Sequence, residues 1–176
     1  MKAIIKLPVF AALVVILSTA AFAQSASNTV KGEILGDIDV LEKKFVGLAE
    51  AVPADKYGWR PEDGVRSVSE VFMHVAGANY GLPSFIGAKA PADVPKDMEK
   101  ITDKAEVVKN LKASFEFFRS AIKNMSDADI EKTNKMFGKD RTYREIGFFM
   151  TGHLHEHLGQ SIAYARANRI VPPWSR

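Results

Sequence analysis

A chain of 176 residues has room for one sizeable core, and its 24 Lys and Arg against 21 Asp and Glu leave a formal charge of only +3. That balance makes no electrostatic case for a nucleic-acid partner. There is no cysteine, which excludes disulfides and a thiol nucleophile, so stability must come from packing and any nucleophile from elsewhere.

At the start, Lys2 and Lys6 precede an apolar stretch from Leu7 to Leu17 that ends in Ala21-Phe22-Ala23. This is the make-up of a secretory signal peptide cleaved before Gln24. The stretch is shorter than the roughly 20 residues that a bilayer core demands, so no stable membrane span is expected after cleavage. With no cysteine to acylate, a lipoprotein anchor is excluded. The expectation is a periplasmic or secreted protein in which residues 1–23 are removed and residues 24–176 form a single domain. Loss of Lys2 and Lys6 leaves 22 basic residues against 21 acidic ones, a charge of +1.

Beyond the leader, four segments carry helical periodicity and none shows sustained period-two alternation, so the predicted fold is all-α. The first helix spans residues 29–51, with Ile34, Ile38, Leu41, Phe45 and Leu48 as one apolar stripe. It stops before Val52-Pro53, because the residue preceding a proline is pushed out of helical geometry. Residues 52–66 are too rich in Pro and Gly for a regular element. Ser67 with Glu70 makes a capping box that opens the second helix, which carries Val71, His74 and Ala78 on one side and ends near Tyr80-Gly81.

Residues 82–102 contain Pro83, Pro91 and Pro95. So long a link between bundle helices predicts a crossover and not a hairpin. Thr102 is then the expected cap of a third helix reaching about Met125, with Val107, Leu111, Phe115, Phe118 and Ile122 as its stripe. Ser126 to Asp129 ends that helix or adds a short turn, and residues 132–141 read as a polar connector. Thr142 with Glu145 makes a second capping box and opens the last helix, which runs to about Asn168 before Val171-Pro172-Pro173. The tail Pro172-Pro173-Trp174 is expected to fold back on the bundle.

The chemistry concentrates in the last helix. At about 100° per residue, Ile146, Phe149, Met150, His153, His157, Gln160 and Tyr164 share one face, which reads as the core-facing stripe, while His155 is turned by about 200° from His153. Side chains four apart have Cβ atoms about 6 Å from each other, close enough for two imidazoles to share an ion. His74 is the one remaining histidine that could supply a third ligand, leaving room for water or substrate. Taken singly, each histidine is more often a hydrogen-bonded core or surface residue, so spacing alone leaves both readings open.

Glu156 lies beside the second histidine of the pair, not the first as in His-Glu-x-x-His zinc proteases. It is the carboxylate to weigh as a general base, although a solvated glutamate is the commoner role at such an oblique position. Gln160 either hydrogen-bonds a ligand imidazole or fastens helices. Trp59-Arg60 reads as an aromatic packed over a helix end with a stacked arginine, and Tyr80 and Tyr164 as core tyrosines.

Two segments, Val-Pro-Ala-Asp-Lys-Tyr-Gly-Trp-Arg-Pro and Val-Arg-Ser-Val-Ser-Glu-Val-Phe-Met-His-Val-Ala, combine with a late His-x-x-x-His-x-Gly-Gln. Together they resemble the DinB/YfiT-like superfamily over essentially all of residues 29–175. The resemblance implies a four-helix bundle of up-down-down-up course. It also implies His74, His153 and His157 as metal ligands, with Gly159 and Gln160 completing the signature. Where many members have two adjacent histidines followed by arginine, this chain has His155-Glu156-His157-Leu158, so the ligands survive but that positive charge does not.

The resemblance further implies a divalent ion, zinc or nickel, activating water or a thiol for hydrolysis or thiol transfer on a small molecule. The alternative is a periplasmic protein that holds metal or a small ligand without turnover. Exposed helix faces permit a homodimer.

Overall fold

The computed structural model describes residues 29–175, so the leader predicted at residues 1–23 lies outside the described residues. Among them, four α-helices carry the fold: α1 (Val30–Ala51), α2 (Val68–Gly81), α3 (Lys104–Lys123) and α4 (Tyr143–Ala167). The predicted stripes of α1 and α3 are buried throughout. Their larger members, Ile34, Ile38, Leu41, Phe45, Leu111, Phe115 and Ile122, meet in one core. Each such side chain contributes about 1.5–3 kcal/mol when fully buried, which is the main drive for the helices to associate.

Every helix starts on a side-chain cap. Thr29 accepts from the Gly32 amide, and both predicted capping boxes are present, Ser67 with Glu70 and Thr142 with Glu145. The third start differs by one residue from expectation. Asp103, not Thr102, accepts from the Glu106 amide at 3.0 Å. A carboxylate at that place also complements the partial positive charge of the helix N-terminus, which favours the aspartate.

Helix α1 packs against α3 and α4, and α2 packs against the same two, so α1 and α2 are diagonal. Side-chain pairs fix the directions. Lys112 reaches Glu50 while Arg119 reaches Asp39, so α3 runs opposite to α1. Ile34 lies against Gly147 and Asp37 bonds His155, so α4 runs with α1. Asn79 bonds Ser114 and Tyr80 stacks on Phe117, making α2 and α3 parallel. The course is therefore up-down-down-up, as the resemblance implies. Parallel neighbours need a return strap, and residues 82–103 supply it with two 3-10 turns, Leu82–Ile86 and Met98–Lys100. The second turn packs on α2, with Met98 buried near Gly77.

The shorter link 52–67 is irregular but anchored, because Tyr57 is buried and its hydroxyl donates to the Ala49 carbonyl at 2.7 Å. After α3 comes a 3-10 turn, Asp127–Glu131, and then an element that periodicity does not predict. The stretch expected as a polar connector is a β-hairpin, β1 (Thr133–Met136) paired antiparallel with β2 (Lys139–Thr142). Phe137 and Gly138 form its two-residue turn, both at positive φ (49° and 80°), the signature of a type I′ turn. The hairpin lies on the surface and buries only Met136 of β1. Beyond α4 the tail does fold back, with Pro173 near Gly47 and the Lys44 ammonium over the Trp174 ring.

The shifted cap is testable by chemical denaturation. Asp103→Ala is expected to cost about 1 kcal/mol, whereas Thr102→Ala should fall within the noise of wild type. The reverse order would put the helix start back at Thr102.

Candidate metal centre

Helix α4 lies close to α1 where Gly147 faces Ile34. A Cβ on that glycine would sit 2.6 Å from the Ile34 Cδ1. The buried stripe of α4 accordingly runs through Ile146, Gly147, Met150, Thr151, Leu154, Leu158, Ser161 and Ala165. This corrects the expected face. His153 and His157 do not replace core residues; they occupy the shoulder beside the core, half-buried and turned toward α2. Phe149, placed on the same face by its spacing, is exposed.

The histidines nevertheless converge as predicted. His74 from α2 meets both α4 rings, with centroids 5.2 Å from His153 and 4.7 Å from His157, and the α4 pair is 4.5 Å apart. One ring nitrogen from each of the three lies within 4.8 Å of the others. His155 is turned the other way, onto Asp37 of α1 at 3.0 Å. Glu156 is exposed on the surface of α4.

What surrounds the rings sets their tautomers. His157 Nδ1–H donates to Gln160 Oε1 at 2.8 Å, and Gln160 Nε2 donates in turn to the Tyr164 hydroxyl at 3.0 Å. Gln160 thus takes the first of its two expected roles. His74 Nδ1–H donates to Glu99 Oε1 at 3.0 Å. Both arrangements free Nε2 as a lone-pair donor toward the centre. Trp59 packs edge-on against Tyr164 at 5.3 Å, but Arg60 does not stack on it. Instead Arg60 binds Glu70 and the Val65 carbonyl.

Glu99 was invisible to sequence reasoning. It arrives on the return strap, and its second oxygen accepts from Arg66 Nε at 3.0 Å. Partial burial works to raise its carboxyl, but the hydrogen bonds from Arg66 and His74 outweigh that and hold it below the usual range. Burial lowers His74, assisted by the Arg66 charge. Burial also pushes His153 down to about 4, with His157, His74 and Arg66 adding to the effect. Both imidazoles are therefore neutral at pH 7, the state that ligates a metal.

His153 shows why the protein alone does not satisfy this set. Its Nε2 lies 3.2 Å from His74 Nε2, and its Nδ1 is buried with no partner. A proton on Nε2 satisfies His74 but leaves Nδ1 an orphaned acceptor. A proton on Nδ1 leaves an orphaned donor and turns two lone pairs against each other. A cation held by the Nε2 atoms would remove that repulsion while leaving the buried Nδ1–H of His153 without a partner, and nitrogen ligands at zinc-like bond lengths of about 2.0–2.1 Å in tetrahedral array stand about 3.3 Å apart. The donor set fits a divalent ion.

Comparison with known proteins agrees with the fold. The sequence profile of the DinB superfamily matches residues 38–161. A DinB-like protein from Bacillus cereus superposes with a TM-score of 0.71 at 15% identity, covering 80% of this chain and 93% of that one. The DinB-like protein YjoA of Bacillus subtilis gives 0.64 at 16% identity, covering 79% and 93%. Among curated proteins none matches the chain.

The orphaned His153 nitrogen predicts a trade-off in metal-free protein. Replacing a buried polar group that lacks a partner by an apolar one relieves its desolvation cost, so His153→Leu should raise stability in chelator by on the order of 1 kcal/mol. The pH dependence has a definite sign. The His153 pKa is below the unfolded value near 6.5, so protonation favours the unfolded chain. Stability is full above about pH 6.5 and falls as pH drops toward 4. Urea denaturation at pH 7.5 and pH 5 should show a smaller acid loss for His153→Leu than for wild type. A less stable variant at both pH values would mean the nitrogen is satisfied.

Proposed function

The chain belongs to the DinB superfamily, and on that footing we propose that it is an exported metal-dependent hydrolase of a small molecule, its divalent ion held by His74, His153 and His157. The observation that carries this reading is the three-histidine convergence, with one ring nitrogen of each within 4.8 Å of the others. Imidazole donors suit zinc or nickel. When bound, the ion supplies Lewis acidity, enough to make water or a thiol a nucleophile near neutral pH.

The chain's own residues supply position. His74 is presented by α2, and His153 and His157 by successive turns of α4, so the geometry rests on helices and not on loops. Gln160 and Glu99 hold two of the rings in the ligating tautomer. The shoulder location leaves the rings half-buried and reachable from solvent, as a small substrate requires. Thiol transfer is the neighbouring reaction. Hydrolysis is preferred because the first 23 residues have the make-up of a leader that would remove the chain from the cytosolic thiol pool. Among the described residues no helix is long and apolar enough to cross a membrane.

A second reading, a metal- or ligand-holding protein without turnover, draws support from the carboxylates. Glu156 is exposed, and Glu99 is engaged by both His74 and Arg66, so neither stands ready as a general base.

Elemental analysis of purified protein is expected to find zinc or nickel in wild type and His155→Ala, and to find it lost in His74→Ala, His153→Ala and His157→Ala. Equal metal in wild type and His153→Ala would sink the site. Metal at 100 times its Kd should stabilise wild type by about 2.7 kcal/mol. On a panel of esters, amides and electrophiles, turnover abolished by His74→Ala supports the enzyme, and an inert loaded protein supports the binding reading.

For export, N-terminal sequencing of the protein recovered from the producing cell should begin at Gln24. A mature chain that keeps Met1 would overturn it.

A further inference from the structure

A carboxylate reaches the histidine triad from outside the four helices. Glu99 sits in the 3-10 turn Met98–Lys100 of the return strap, with one oxygen on His74 Nδ1 and the other on Arg66 Nε, each at 3.0 Å. Arg66 immediately precedes Ser67, the N-cap of the helix that carries His74. The carboxylate is thus tied at both oxygens to α2 and its cap, one bond at the helix start and one about two turns further on. The turn cannot drift easily, because its neighbour Met98 is buried against α2.

We propose that Glu99 is the positioning residue of the α2 ligand. It holds the His74 ring with Nδ1–H outward and Nε2 toward His153 and His157, with Arg66 as its anchor, which makes the return strap part of the metal centre. This rests on the reading of the triad as a metal site. An imidazole on a half-buried helix face can rotate about its Cβ–Cγ bond, and an acceptor fixed at Nδ1 removes that freedom. Carboxylate partners of ligand histidines also raise the basicity of the ring, and their loss commonly costs about 10- to 100-fold in metal affinity. Gln160, the corresponding partner of His157, is neutral. Of the two outer partners Glu99 therefore does more to strengthen its ligand.

The experiment uses the full-length mature protein, zinc titration against a competing chelator, and the visible spectrum of the cobalt-substituted form. Glu99→Ala should weaken zinc binding about 10- to 100-fold and alter the cobalt bands. Glu99→Gln, which keeps an acceptor oxygen, should recover part of the loss, and Lys100→Ala in the same turn should bind as wild type. Long-range nitrogen–proton NMR on metal-free protein supplies a readout independent of metal. His74 should be protonated at Nδ1 in wild type and a mixture of tautomers in Glu99→Ala. Zinc affinity of Glu99→Ala within twofold of a wild type that binds would overturn the proposal, as would an unchanged His74 tautomer. A wild type that binds neither zinc nor cobalt would overturn the metal reading itself, while the NMR result would still decide whether Glu99 orients the ring.

Discussion

Two neighbouring helices that run the same way impose a constraint on everything between them. Helices α2 and α3 are parallel, so the chain leaving the bottom of α2 must travel back the length of the bundle before α3 can begin. Residues 82–103 make that journey on the outside of α2, and the face of α2 they cover carries Gly77, Ala78 and Gly81. At Gly77 the strap lies close, with the Met98 sulfur against the helix. A strap so close passes its last turn over His74, and a topological necessity becomes a chemical one: Glu99 arrives at a histidine 25 residues earlier in the chain. An antiparallel hairpin between the same helices would have turned at the far end and brought no group to this site.

The second constraint is a contact on the opposite side of α4. At Gly147 the helix has no side chain, and Ile34 of α1 fills the space. Close approach to α1 turns the leucine row of α4 into the core and leaves the histidine row on the shoulder facing α2. Shoulder residues bear only part of the desolvation cost of full burial, which is how three imidazoles can be held within ligand distance of one another in a domain of this size. The cost that persists is concentrated on His153, with its depressed pKa and unpartnered nitrogen. A departure from the stability optimum of this kind, placed where three histidines meet, is what a functional position would show.

Legibility in the sequence followed the range of the interaction. Capping boxes at Ser67 and Thr142 and the stripes of α1 and α3 are local patterns, and all of them could be read directly. The histidine pair is legible as a spacing, but the face it occupies is not. His153 and His157 run one position behind Leu154 and Leu158, so two rows of period four lie side by side, and only the packing against α1 decides which is central. The hairpin was hidden because its strands, Thr-Asn-Lys-Met and Lys-Asp-Arg-Thr, show no apolar alternation, and because Phe-Gly is a weaker turn signal than Asn-Gly. The length of the strap announced a crossover, but nothing local marks Glu99 among the carboxylates of that segment. Its role exists only once the strap lies over α2.

The charges around the triad bear on what it can do. Two of the imidazoles, His74 and His153, are held neutral, and Glu99, the anion bonded to His74, is matched by Arg66. The protein therefore leaves a bound cation's charge nearly uncancelled, unlike a site in which carboxylates ligate directly. A divalent ion held there would polarise a substrate oxygen, in keeping with the proposed hydrolysis. Such an ion would also lessen the need for a separate protein base, because it would itself supply the acidity that a nucleophile requires near neutral pH. That neither Glu99 nor Glu156 is an uncommitted carboxylate beside the three rings, which first reads as a mark against catalysis, is thus compatible with it. What the neutral set demands instead is rigid placement of each ring, and that is the task divided between Gln160 on the helix and Glu99 on the strap.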